Sequence, residues 1–91
     1  MKRIYKYQLE LSETMTIEAS IVRPLSIQVQ NGTLCLWAEV EHPNSAASTL
    51  TITTVGTGRP IPDSAGEYLC TIQQGGYVWH FYWRLNNDTS K

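Results

Sequence analysis

The sequence predicts an all-β protein, a small antiparallel sandwich or barrel of about six to seven strands. Three observations lead there. Apolar and polar residues alternate in short runs along most of the 91 residues, which is the period of a half-buried strand. Asn31-Gly32 and Gly75-Gly76 each separate two such runs, and these dipeptides suit two-residue hairpin turns that need φ > 0. No segment carries a sustained helical period.

Arg3–Glu10 sets Tyr5, Tyr7 and Leu9 against Ile4, Lys6, Gln8 and Glu10. That is a half-buried strand, and Lys6 and Glu10 suit it to a guarded sheet edge. Ser12–Thr14 reads as a turn. Met15, Ile17, Ala19 and Ile21 then form a short second strand, which Arg23-Pro24 is expected to stop because proline has no ladder donor. Ser26–Glu41 is a hairpin about Asn31-Gly32, with Val29 facing Leu34 and Ile27 facing Leu36. Those four share a face with Ala38 and Val40, while Gln28, Gln30, Cys35, Trp37 and Glu39 face away.

A small-residue loop over 42–48 leads to a threonine-rich strand, Thr49–Val55, with Leu50 and Ile52 inward and Thr51 and Thr53 outward. Gly56–Gly66, reading GTGRPIPDSAG, is the longest connection. Glu67–Arg84 closes the fold as a hairpin with a type I′ turn at Gly75-Gly76. Its register puts Cys70 opposite Phe81, Thr71 opposite His80, Leu69 opposite Tyr82 and Tyr68 opposite Trp83. Tyr68, Cys70, Ile72, Trp79, Phe81 and Trp83 then form a core wall. Leu69, Thr71, Gln73, Val78, His80, Tyr82 and Arg84 form the other, mixed face. Residues 86–91 read as a polar tail that frays. A short helix over 43–48 or 62–67 is compatible with the pattern.

The chain is expected to be one domain, 1–91, near the size at which a single core is thin. Seven basic and eight acidic residues give a net charge of −1, so the broad electrostatic footprint needed for long nucleic acid is absent. The N-terminus has no apolar signal region, and no run approaches the roughly 18 apolar residues of a membrane span. A cytoplasmic protein is expected. Cys35 and Cys70 lie inside strands and read as small buried thiols, with a disulfide as the alternative. Two cysteines and two histidines at unrelated spacings make no zinc motif. No metal and no cofactor is expected.

The Gly56–Gly66 connection carries the clearest candidate chemistry. Gly56 and Gly58 permit close approach of a ligand, and free N–H groups from Gly56 through Thr57 to Gly58 suit an anion nest. Arg59 adds a permanently charged fork for phosphate. The lysine and helix of a P-loop are missing, and the alternative reading is a rigid connection stiffened by Pro60 and Pro62. His80 and Arg84 lie on the mixed face, and Trp37, Tyr77 and Tyr82 offer stacking surfaces. The alternative for His80 is a histidine hydrogen-bonded in a subunit contact or beneath a loop. Catalysis is not expected: Cys70 and His80 face opposite ways, Cys35 has no support, and Glu39 and Glu41 suit a solvated edge. The many aromatics suit an interface, so a homo-oligomer is expected.

The landmarks KYQLE, the hairpin ending in LWAEVE, GTGRPIP and YLCTIQQGGYVWHFY together resemble a family of small bacteriophage-encoded proteins described as a domain of unknown function. The resemblance runs from Lys6 to about Tyr82, and Gly56-Thr57-Gly58 with Pro60 and Pro62, and Val78-Trp79-His80, are its most specific pieces. The family pattern has glycine where this chain has Cys70, so no thiol is required there. The resemblance implies a phage accessory protein acting in the cytoplasm of the bacterial host. With the loop chemistry, it leads to the expectation of a non-enzymatic counter-defence protein that sequesters a nucleotide-type immune signal. Gly56, Thr57, Gly58 and Arg59 would hold phosphate, Trp37 or Tyr77 would stack on the base, and His80 or Arg84 would complete the pocket. The rivals are an inhibitor that binds a host protein through the aromatic face and a phage structural or assembly component.

Overall fold

A computed structural model describes residues 1–42 and 47–87 of the chain. Among them there are six strands and no helix: β1 (Arg3–Leu9), β2 (Thr14–Gln30), β3 (Thr33–His42), β4 (Ser48–Gly56), β5 (Glu67–Gln74) and β6 (Tyr77–Asn87). They form one antiparallel sheet in the order β1-β3-β2-β4-β6-β5, curled into a half-barrel. The all-β expectation holds. Residues 62–66 are turn and loop, so no helix forms there, and most of the 43–48 segment lies outside the described residues. Asn86 and Asn87 belong to β6, opposite Thr49 and Ser48, and the remainder of the expected tail lies outside the described residues.

Pro24 does not stop a strand. The two short strands expected on either side of it are one strand, β2, of 17 residues. Register against β3 shifts between Ser20 and Ile21, between Ile21 and Arg23, and between Pro24 and Ser26. Such irregularities are where a sheet tolerates a residue without an N–H. They also let β2 change partner: Thr14–Ala19 pairs with β4, and Ser20–Gln30 pairs with β3. The core lies between the two halves so joined. Leu36, Ala38 and Val40 come from one side, Leu50, Ile52 and Phe81 from the other, all fully buried. The curl brings β5 back over β2, where the Cys70 Sγ lies 3.8 Å from the Ile27 carbonyl oxygen. Both cysteines are free thiols.

The Asn31-Gly32 turn has φ of 53° and 78°, the two positive values of a type I′ turn. At the second hairpin Gly75 has φ 61° and Gly76 is not positive, so that turn is type II′ rather than I′. The ladder from Gln74 opposite Tyr77 to Cys70 opposite Phe81 is as expected, but Tyr68 then pairs with Tyr82 and Glu67 with Trp83. Leu69 is an extra residue, a bulge. It turns into the core, and Tyr68 leaves the core wall for the outer face, where it is 55% exposed.

Because β4 and β5 are both antiparallel to β6, they run parallel to each other. Parallel strands need a crossover rather than a hairpin. Residues 57–66 are that crossover, and they pass over β6 on the face opposite the core.

Candidate functional site

The crossover begins with a tight turn. Arg59 N–H donates to the Gly56 carbonyl at 3.1 Å, and Gly58 takes φ 88°, the glycine position of a type II turn. The anion nest expected here is therefore reduced: Gly56 is a ladder residue opposite Trp79 and the Arg59 N–H is engaged, which leaves the N–H groups of Thr57 and Gly58.

The turn drops Thr57 onto β6. Thr57 Oγ1 lies 2.8 Å from His80 Nε2, and His80 Nδ1 lies 2.8 Å from Thr71 Oγ1 on β5. Thr71 Oγ1 in turn is 2.6 Å from the Tyr68 hydroxyl, whose ring meets Tyr82 edge-on with centroids 5.6 Å apart. Both imidazole nitrogens are thus occupied, and a neutral ring accepts from one threonine while donating to the other. His80 pins β5, β6 and the crossover together.

The far end of the crossover is fastened as well. Arg84 Nε donates to the Ser64 carbonyl at 3.0 Å, Ala65 is buried, and Gly66 is pressed against the backbone of Trp83. The crossover closes over its own sheet.

Arg59 is different. It is exposed, and among the described residues its guanidinium has no acceptor. Its stem passes the space where Gly56 lacks a side chain: a Cβ there would lie 3.7 Å from Arg59 Cγ and 3.6 Å from the Trp79 ring. Two crevices meet at this point. The larger, about 540 Å³, runs between the 11–14 turn, Thr54, Pro60, Pro62 and Trp79. The smaller, about 240 Å³, lies on the outer face between Thr57, Ile61, His80 and Tyr82. Arg59, Gly56 and Val55 border both.

A family model described as "Domain of unknown function (DUF7352)" matches residues 1–90. The chain belongs to this family. No curated protein and no solved structure matches it.

The DUF7352 fold brings together Gly56, Thr57, Gly58, Arg59 and His80 from the residues expected at the site. It does not bring the other three there. Trp37 sits on β3 between Lys6 and Ser26, in the other half of the sheet. Tyr77 lies on the face opposite His80, stacked on Trp79 with centroids 5.5 Å apart and ring planes 13° from parallel. Arg84 is four residues along β6 from His80, roughly 13 Å of strand, and is tied to Ser64.

Leu11, Ser12, Thr54 and Trp79 line the larger crevice without having been picked out for ligand contact. Thr54 carried a usable signal, a polar residue on the inward row that contains Leu50 and Ile52. The pairs weighed for catalysis do not assemble. Cys70 faces the core and burial raises its thiol pKa, the reverse of an activated nucleophile. Glu39 pairs with Arg23 at 3.2 Å, and Glu41 with the Met1 amino group at 3.2 Å. Among the described residues of this DUF7352 domain no cluster of His, Cys, Asp and Glu could hold a metal, and no helix is long and apolar enough to cross a membrane.

Proposed function

We propose that this protein is a non-enzymatic binder of a small nucleotide-type ligand, with a ligand phosphate held by Arg59 where the two crevices meet. The observation that carries the reading is Arg59, which borders both hollows and whose guanidinium lacks an acceptor among the described residues. A guanidinium so placed offers a planar fork to phosphate oxygens. Thr57 and Gly58 line the smaller crevice with Arg59. The setting we propose follows the resemblance to bacteriophage proteins: in the host cytoplasm the protein, as a homo-oligomer, withholds a nucleotide immune signal by holding it intact.

Native mass spectrometry with a panel of cyclic di- and trinucleotides and ADP-ribose-type compounds tests this. The expected result is a fixed number of one nucleotide per assembly, released unchanged, with affinity falling at least tenfold in Arg59→Ala, a change of about 1.4 kcal/mol or more. Because the Arg59 guanidinium has no acceptor to lose among the described residues, the variant keeps its melting temperature. A second reading draws on Tyr77 and Tyr68, which are 66% and 55% exposed: inhibition of a host protein through an aromatic surface. Indifference to the whole panel, together with a host protein that co-purifies and is lost on Tyr77→Ala, replaces the first reading with the second.

A further inference from the structure

We infer that the larger crevice is the subsite for the ligand's ring, a planar heterocycle of nucleobase class that packs beside Trp79 and is read at its polar edge by the Thr54 hydroxyl. This rests on the reading of Arg59 as the phosphate anchor.

The first observation is an orphan. Thr54 Oγ1 is buried and has no hydrogen-bond partner among the described residues. Its backbone N–H is engaged by the Glu13 carbonyl at 2.9 Å, so the strand end itself is well held. A hydroxyl can donate once and accept twice, and a buried one with no partner is a cost native structures avoid unless something else makes use of it. Thr54 as a residue is only partly buried and lines the larger crevice. It sits opposite Phe81 on β6, and its oxygen is sealed from solvent. A change between staggered χ1 wells is the step by which the hydroxyl would meet a ligand's ring nitrogen or exocyclic group in the crevice that Thr54 lines.

The second observation is the pairing of an aromatic with a cation. The Trp79 ring and the Arg59 stem flank the same empty volume left by Gly56, at 3.6 and 3.7 Å from its Cβ position. A ligand with its phosphate on Arg59 thus has the indole beside its next group. One side of the indole is already stacked by Tyr77, which stiffens it as a platform. Leu11, Pro60 and Pro62 supply apolar walls, and the Ser12 hydroxyl, which donates to the Thr14 carbonyl at 2.9 Å, keeps only its acceptor side for a ligand.

Size separates the two hollows. About 540 Å³ falls within the roughly 300–1,000 Å³ of small-molecule sites, and a bare phosphate or sugar phosphate would leave most of it unfilled. The outer crevice, about 240 Å³, is below that range, and the polar atoms of His80 on its wall are already engaged. The ring therefore does not lie on the His80 face, where Tyr82 would have stacked it.

The test is isothermal titration of the full chain with adenosine and guanosine monophosphates, the nucleotide panel above, ribose 5-phosphate and inorganic phosphate. At least one nucleotide should bind ten or more times tighter than ribose 5-phosphate. Thr54→Val should raise the melting temperature of the ligand-free protein, because it removes the orphan hydroxyl. It should also weaken that nucleotide tenfold and leave phosphate binding unchanged, while Thr54→Ser retains binding. Ligand-induced quenching of tryptophan fluorescence should disappear in Trp79→Phe. Equal affinity for nucleotide and ribose 5-phosphate, or a nucleotide indifferent to Thr54→Val and Trp79→Phe, overturns the ring subsite and leaves Arg59-dependent phosphate binding standing. No binding by any probe removes both.

Discussion

Gly58 and Gly66 share a left-handed backbone, with φ of 88° and 95°, but differ in their surroundings. A Cβ at Gly58 would meet nothing within 4 Å, whereas one at Gly66 would run into the Trp83 carbonyl oxygen. Gly58→Ala should therefore cost only the price of the backbone conformation, about 1 kcal/mol. Gly66→Ala must also displace strand backbone and should cost about 4 kcal/mol. Urea denaturation of the two variants checks this, and equal losses would mean that the crossover does not bear on β6 as described. The glycine content of the 56–66 segment was plain in the sequence. Which glycine another strand approaches was not, because that depends on a carbonyl of β6. The same limit applies to the site. Gly56, Thr57, Gly58 and Arg59 could be grouped because they are consecutive, and His80 because it lies on a readable strand face. Trp79 was read as part of the core wall, and Thr54 continues the inward row of Leu50 and Ile52. At the mouth of a curled sheet, however, the inward row opens onto a crevice, and alternation alone does not say where the mouth lies.

At the scale of elements, the two hairpins were legible because turn chemistry and alternation agreed. What was hidden is the set of irregularities. A bulge adds one residue and inverts the parity of everything beyond it, yet leaves no mark in composition. Leu69 moved Tyr68 to the outer face in this way, and the shifts around Pro24 fused two expected strands into β2. The second turn carries a usable difference. In a type II′ turn only the first central residue needs positive φ. Gly75→Ala should therefore cost about 1 kcal/mol, whereas Gly76→Asn or Gly76→Ser should stay within about 0.5 kcal/mol. Thermal melts of the three variants distinguish this from a type I′ turn, which would penalise Ser at the second position as heavily as Ala at the first.

At the scale of the whole molecule, β1 and β5 are the edges of the sheet among the described residues. The β5 edge is interrupted by its bulge, a common guard against further pairing. The β1 edge is regular, in unbroken register with β3 from Arg3 to Leu9, and carries Ile4 at 63% exposure. Its charges are polarised, with Lys2, Arg3 and Lys6 toward the start and Glu10 just past the end. Antiparallel self-pairing centred on Tyr7 would set Glu10 of one copy opposite Ile4 of the other, diagonal to its Lys2 and Lys6. A centre on Lys6 would set Lys6 against its own copy while placing Glu10 opposite Lys2. The homo-oligomer we propose is joined along this edge. Light scattering during gel filtration should find a dimer or a multiple of it. Glu10→Lys should weaken it at least tenfold, and Lys2→Glu with Lys6→Glu on that background should restore it. A wild-type monomer at high micromolar concentration, or an assembly blind to these reversals, removes the proposal.

The position of β6 in the sheet has a meaning in time. Of the six described strands it is the last to be synthesised, yet it stands between β4 and β5, which do not pair with each other. Until Tyr77–Asn87 has left the ribosome, β5 has no ladder at all. The β4 strand has one only through β2, and the core still lacks Phe81. Strands β1 and β3 and the Ser20–Gln30 part of β2 already hold one another, but the half of the molecule that carries the crossover pairs only once β6 has been made. A nascent chain therefore waits with Leu50, Ile52 and the β5 edge uncovered, and the final strand enters beneath the 57–66 segment rather than beside it.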